Sequence, residues 1–356
     1  MTNKLSIFLV MASVLAPSLS AQKAQKETLL ALSKRDHTLA IVDPGSLKIL
    51  AKVPVGNDPH EVIASGDGRT AYVSNYGGGA YNTLAVVDLV EQKALPQIDL
   101  GPLHGPHGLA FAGGKVWFTA EVAKAIGSYD PATAKLDWIL GTGQNRTHMI
   151  FVSEDLKRII TTNTIAGTVS IIEKTAARAP GPPPGVPPGP NNPAGPPPSG
   201  PMGPPGGDWD ETVVRVGNGS EGFDVSPDGR EIWVGNAHDG TISIINVATK
   251  SVTETLAANV RGANRLKFTP DGARVLVSGL GAPDLVVLDA STRKEIKRIK
   301  LGRGSAGILM QPDGARAFVA CSPDNYVAVI DLKSLEVTGH LDVGLEPDGL
   351  AWAVSR

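Results

Sequence analysis

The chain has 356 residues and a net charge of -2, from 33 Lys and Arg against 35 Asp and Glu, so it offers no basic field to attract a nucleic-acid backbone. A single cysteine, Cys321, excludes an intramolecular disulfide and a thiolate zinc cluster. Length alone suggests two domains, but half of the 28 prolines lie between Pro180 and Pro205, and the remainder has an ordinary globular composition.

At the N-terminus, Lys4 precedes an apolar run from Leu5 to Ala16, followed by Pro17 and the small residues Ser18, Ser20 and Ala21. A charged start, a short apolar run and a small-residue exit predict a secretory signal peptide over residues 1–21. The run is too short for a comfortable membrane span. The mature protein is expected to be exported, to the periplasm or beyond the cell, with no membrane span.

From there on the chain repeats. An alternating, β-branched run closed by an acid or amide occurs seven times: TLAIVD at Asp43, TLAVVD at Asp88, AIGSYD at Asp130, TVSIIE at Glu173, TISIIN at Asn246, DLVVLD at Asp289 and YVAVID at Asp331. The spacings are 45, 42, 43, 73, 43 and 42 residues. Before the closing run, segments such as PHEVIASGDGRTAYVSN (59–75) and SEGFDVSPDGREIWVGN (220–236) hold two short alternating runs joined by Asp-Gly. The glycine supplies the positive φ that a tight hairpin needs. A turn and a fourth strand ending in glycine follow, so each unit predicts four antiparallel strands, the pattern of a propeller blade.

The one long interval contains PGPPPGVPPGPNNPAGPPPSGPMGPPGG (180–207), whose glycines break the three-residue period of collagen. A segment of this composition cannot bury a core. Residues 176–208 are therefore expected to be a disordered insertion between the third and fourth strands of one blade, and residues 27–356 a single propeller. Lengthening a loop costs little stability.

The C-terminal PDGLAWAV (347–354) reads as a first strand with no second, and residues 29–56 supply second, third and fourth strands with no first. Pairing the two ends closes a seven-bladed, all-β propeller and leaves no open edge between first and last blades.

Tyr72-Val73-Ser74-Asn75, followed by NTLAVVDL, resembles the YVTN-type family of bacterial extracytoplasmic β-propeller repeats; Ile232 to Asn236 and Val275 to Gly279 are looser variants. The likeness covers nearly all of the mature chain except the tract. It implies an exported propeller and supplies no shared catalytic motif.

Aligned on the Asp-Gly turn, the blades place His60, His107, His148, Glu221, Asn264, Ala306 and Asp348 at one level, at the start of the first strand. Side chains at one level of a ring project toward a common axis. Imidazoles with a carboxylate suit zinc, copper or iron, which makes His60, His107, His148, Glu221 and Asp348 candidate ligands of one divalent metal ion. Polar residues duplicated at a wet channel mouth are the simpler alternative. Asn264, Arg146 and Arg265 border the same strand starts as candidate ligand-binding residues, and Tyr76 and Tyr81, in the loop NYGGGAYNT (75–83), could cover a ligand. The expected function is that of a monomeric binding module taking a small molecule or a protein at its channel mouth. The alternative is a metal-dependent hydrolase or lyase, similar in plan to propeller lactonases and streptogramin lyases, with Glu221 or Asp348 as ligand or general base.

Overall fold

The computed structural model describes residues 26–175 and 208–355, so the signal segment and the Pro/Gly tract lie outside the described residues. Seven separate four-stranded antiparallel sheets form the blades of a ring. Blade 1 takes its inner strand, Pro347–Ser355, from the C-terminal end and its other three strands from Lys26–Ser33, Thr38–Asp43 and Lys48–Pro54. Blades 2 to 7 follow in chain order. Among the described residues the only helical turns are two of three residues each, Gly77–Gly79 and Ser322–Asp324.

The ring closes as the repeat count requires. Lys26–Ser33 pairs antiparallel with Pro347–Ser355, with Leu29 opposite Trp352 and Leu30 opposite Ala351. Leu29, Leu30 and Leu32 are fully buried, and each such side chain contributes roughly 1.5–3 kcal/mol by leaving water. They alternate between two cores. Leu30 and Leu32 face blade 2, with Val62 and Val73. Leu29 faces blade 7, with Phe318 and Val327. Strands buried on both faces read as continuous apolar runs, which is why TLAIVD and TLAVVD lack polar residues inside.

The third strand of blade 4, Thr168–Lys174, pairs with Trp209–Arg215 on the far side of the tract, with Lys174 opposite Trp209. The Thr175 N–H donates to the Asp208 carbonyl at 2.9 Å. The tract thus enters and leaves at one point on the rim of a blade, away from the channel.

The first strand of every blade is at the inner edge, and neighbouring first strands approach one another around the channel. They come too close for a side chain at several positions. A Cβ on Gly108 would stand 2.5 Å from the His148 carbonyl oxygen, and one on Gly222 would stand 2.2 Å from that of Asn264. Gly307 and Gly349 meet the Asp348 and His60 carbonyls in the same way.

Candidate functional site

One irregularity, repeated around the ring, places the site. In blade 2 Pro59 pairs with Asn75 and Val62 with Val73, so His60 and Glu61 together oppose the single residue Ser74. The same extra residue occurs at His107–Gly108, His148–Met149, Glu221–Gly222, Asn264–Arg265 and Asp348–Gly349. A β-bulge re-aims side chains and leaves one N–H without its ladder partner. Here a hydroxyl on the second strand accepts that N–H: Glu61 on Ser74, Gly108 on Thr119, Met149 on Thr162 and Arg265 on Ser278, at 2.9–3.2 Å. Three of these hydroxyls donate onward to the ring residue of the next blade, Thr119 to the His148 carbonyl, Thr162 to Glu221 and Ser278 to Ala306, each at 2.6 Å. The ring backbone is stapled from blade to blade.

His60, His107 and His148 stand side by side as a result. Ring centroids are 4.8 Å apart for His60 and His107 and 3.9 Å for His107 and His148. His60 Nδ1 is 3.1 Å from His107 Nε2 and 3.7 Å from Asp348 Oδ2. Its other nitrogen, Nε2, contacts Asp58 Oδ1 at 3.1 Å. His148 donates from Nδ1 to Glu121 Oε1, and its Nε2 lies 2.7 Å from Glu221 Oε2. That second contact is an ion pair with Glu221, whereas His107 Nδ1 is a buried nitrogen without a hydrogen-bond partner.

Burial and charge act on these groups in opposite directions. Burial alone would push His148 down, but the carboxylates of Glu221 and Glu121 outweigh it and raise His148 to about 9. Glu221 is driven up by burial and down, more strongly, by His148 and Arg265, and settles at about 2. His107 is held well below the usual imidazole range by burial and by the neighbouring His148 and His60, so it is neutral. Its hydrogen bond from His60 lowers Asp58 to about 2.

Each sequence-predicted residue can now be placed. His60, His107, His148, Glu221, Asn264, Ala306, Asp348, Arg146 and Arg265 all line one cavity of about 400 Å³ at the channel mouth. Both arginines are engaged: Arg146 Nε donates to Glu121 Oε2 at 3.0 Å, and Arg265 Nη2 crosses the channel to Glu61. The two tyrosines are outside that cavity. Tyr76 is buried, its hydroxyl 2.5 Å from Glu121 Oε2, and burial raises it to about 12. Tyr81 is 40 % exposed, with its ring against Gly77. Trp117, Trp233 and Trp352 pack in the apolar clusters between blades.

Glu121 is the functional residue that the sequence reading missed. It occupies the first position after the second strand, where the other blades, in ring order, have Lys34, Tyr76, Thr164, Ala237, Leu280 and Ser322. An acid at a level otherwise filled by mostly neutral residues is a signal that only an alignment on the ends of the second strands reads. His107, Glu121 and His148 bring one ligand atom each within 4.8 Å of one another and could hold a metal ion. Asp58 and Arg146 share a second feature. Both stand two residues before the ring residue, where Gly105, Gly219 and Gly262 have positive φ, and both adopt it themselves, at 49° and 60°. A non-glycine residue there costs about 1 kcal/mol or more; Asp58 and Arg146 use the position to reach His60 and Glu121.

Fold and site together define a seven-bladed β-propeller with a polar, imidazole-lined channel mouth. No family model and no curated protein matches the chain. Solved structures do. A functionally unknown protein from Desulfotomaculum acetoxidans superposes with a TM-score of 0.69 at 13% identity, over 92% of this chain and 99% of that one. A candidate 6-phosphogluconolactonase from Bacteroides fragilis gives 0.68 at 15% identity, over 95% and 100%. Dihydro-heme d1 dehydrogenase NirN, in complex with DHE, gives 0.60 at 14% identity, over 92% of this chain and 66% of that chain. At these identities the likeness shows the fold alone.

Proposed function

We propose that the channel mouth is a small-molecule binding site built around one divalent metal ion, zinc, copper or iron, held by His60, His107 and His148 with a carboxylate from Glu221 or Asp348. The observation that carries this reading is the buried cluster of His107, Glu121 and His148, whose ligand atoms lie within 4.8 Å of one another, with His107 Nδ1 buried and without a hydrogen-bond partner, in a site where carboxylates already engage one nitrogen of His148 and of His60. A carboxylate on the far nitrogen fixes the tautomer and orientation of a metal-bound histidine and makes it a better ligand. In this reading Glu121 and Asp58 orient, and the imidazoles bind. Charge supports a cation too: Asp58, Glu61, Glu121, Glu221 and Asp348 surround the site against Lys34, Arg146 and Arg265.

The test is metal analysis and calorimetric titration of the purified protein with zinc alone, beside a His60→Ala, His107→Ala, His148→Ala variant. One equivalent bound by the wild type and none by the variant is expected; no binding by the wild type overturns the reading.

A second reading, a metal-dependent hydrolase or lyase, is favoured by Glu221, whose carboxylate lines the cavity beside His148. There it would serve as general base toward a metal-bound substrate, and turnover of small esters or lactones that disappears in Glu221→Gln would establish it. The repeat, read as YVTN-type, and the predicted signal peptide support an exported protein; fractionation of the native host tests that.

A further inference from the structure

The mouth has one apolar side. First strands approach one another in the order of blades 1 to 7 and back to 1, so blade 3, which carries His107, stands opposite the seam of blades 6 and 7. Six of the seven ring residues are polar, and the exception is Ala306 of blade 7. Blade 7 also departs from the repeat in its backbone. Its first strand is only Ile308–Met310, where the other blades have six residues or more, and it pairs with Arg316–Cys321 without the extra residue. The approach to it, residues 302–307, reads Gly-Arg-Gly-Ser-Ala-Gly. A Cβ on Gly304 would stand 2.4 Å from the Leu280 carbonyl oxygen, so this wall has to be built of small residues.

The larger apolar groups beside that wall are Leu280 and Pro323, which line the same cavity as Ala306 and the three histidines. Leu280 is 50 % exposed, yet its place is fixed. Its N–H donates to the Gly262 carbonyl at 2.9 Å, and the Gly279 carbonyl before it accepts from the Ser305 N–H at 2.9 Å. Pro323 is held in the turn Ser322–Asp324, whose Ser322 hydroxyl donates to the Pro347 carbonyl. A half-exposed apolar side chain at a cavity wall releases water when a ligand covers it. The cavity, about 400 Å³, has the size of a small-molecule pocket rather than of an ion site alone.

We propose that the ligand of this site is amphipathic, with a head group that ligates the metal at the histidines and a short apolar body that lies against Leu280, Ala306 and Pro323 on the opposite wall. This rests on the metal-centred reading above and adds the class of ligand to it.

Straight-chain hydroxamates test it, because the zinc-chelating head stays constant while the tail grows. Acetohydroxamate and hexanohydroxamate are titrated calorimetrically into zinc-loaded protein. The variants are Leu280→Asn and, separately, Leu280→Asn with Pro323→Ser; neither residue holds the metal, and zinc saturation is confirmed for each protein before the probe is added. A fully buried methylene tightens binding roughly fourfold, so the four extra methylenes of the longer probe are expected to tighten binding to the wild type roughly 10- to 100-fold. That gain is expected to shrink by about threefold or more in Leu280→Asn and further in the double variant, with acetohydroxamate affinity unchanged. Hexanohydroxamate binding no tighter than acetohydroxamate, or an equal tail gain in the wild type and both variants, would overturn the proposal. A protein that binds zinc but neither hydroxamate refutes this inference and leaves the metal site standing; one that binds no zinc refutes the metal reading first, and this inference with it.

Discussion

Glu121 and His148 face each other across the seam between blades 3 and 4, and the Glu121 carboxylate is shared three ways. Its Oε1 accepts from His148 Nδ1, while Oε2 takes the Tyr76 hydroxyl and Arg146 Nε. Glu121→Gln keeps the shape and is expected to weaken zinc binding roughly 10- to 100-fold, the usual consequence of losing an orienting carboxylate. Glu121→Ala leaves Arg146 and His148 without their counter-ion and is expected to cost about 3 kcal/mol or more of stability. Zinc titration of the first variant and denaturant unfolding of the second check the two outcomes separately.

The metal-free protein should be most stable in mildly acidic solution. His148 is raised to about 9 from 6.5, so its contribution is complete below 6.5 and is lost as pH rises through about 9. Glu221 is lowered to about 2 from 4.5, so its contribution is complete above 4.5 and is lost as pH falls through about 2. Below 6.5 the unfolded chain protonates His107 while the folded one keeps it neutral, so a thermal-unfolding profile of the metal-free protein is expected to peak near 6.5 and to fall on both sides. Zinc, which needs the unprotonated imidazole, should add progressively more stability as the pH rises from 6.5 toward 9. A metal-free profile that keeps rising through this interval would contradict the charge assignment.

Thr119 bridges Gly108 of its own blade and His148 of the next. Thr119→Val preserves the volume and removes both bonds, stranding a buried N–H and a buried carbonyl. The expected loss is about 2–6 kcal/mol, from roughly 1–3 kcal/mol for each of the two orphaned groups. Equilibrium urea unfolding measures it, and a change below about 0.5 kcal/mol would show that the staple is dispensable.

Replacing residues 176–207 by a two-residue turn should leave the ring intact, because Thr175 and Asp208 are already hydrogen-bonded to each other. Each doubling of loop length costs only about 0.6 kcal/mol. The shortened protein is expected to match or slightly exceed the full chain in stability and to bind zinc equally. Loss of zinc binding on deletion would assign the tract a role at the mouth.

The fold was legible because a blade repeats its chemistry. Asp-Gly hairpins and apolar runs such as TLAVVD announce their geometry locally, and seven copies average out local noise. The ring level was legible for the same reason, since His60, His107 and His148 share one offset from the turn. Glu121 was not, because it reaches His148 from a different level and a different blade, and only a second alignment on the ends of the second strands would have exposed it. Asp58 and Arg146 were hidden differently: their reach depends on left-handed backbone, shared by Glu346 and by Gly105, Gly219 and Gly262 at the same position, which no side-chain pattern encodes. Nor could the sequence show that Arg265 spans the channel to Glu61, 204 residues away.

Ring closure sets a timetable for synthesis. The inner strand of blade 1 comes from Pro347–Ser355, and it carries Asp348 into the mouth beside His60. Until residue 355 has left the ribosome, Lys26–Ser33 exposes a backbone edge and a row of leucines that have no partner strand. Blades 2 to 6 can assemble as they emerge, but Lys26–Ser33 must wait for Pro347–Ser355. A chaperone that shields residues 26–33 throughout translation, or a translocation step that delays folding until the whole chain has crossed, would meet a need that this topology creates.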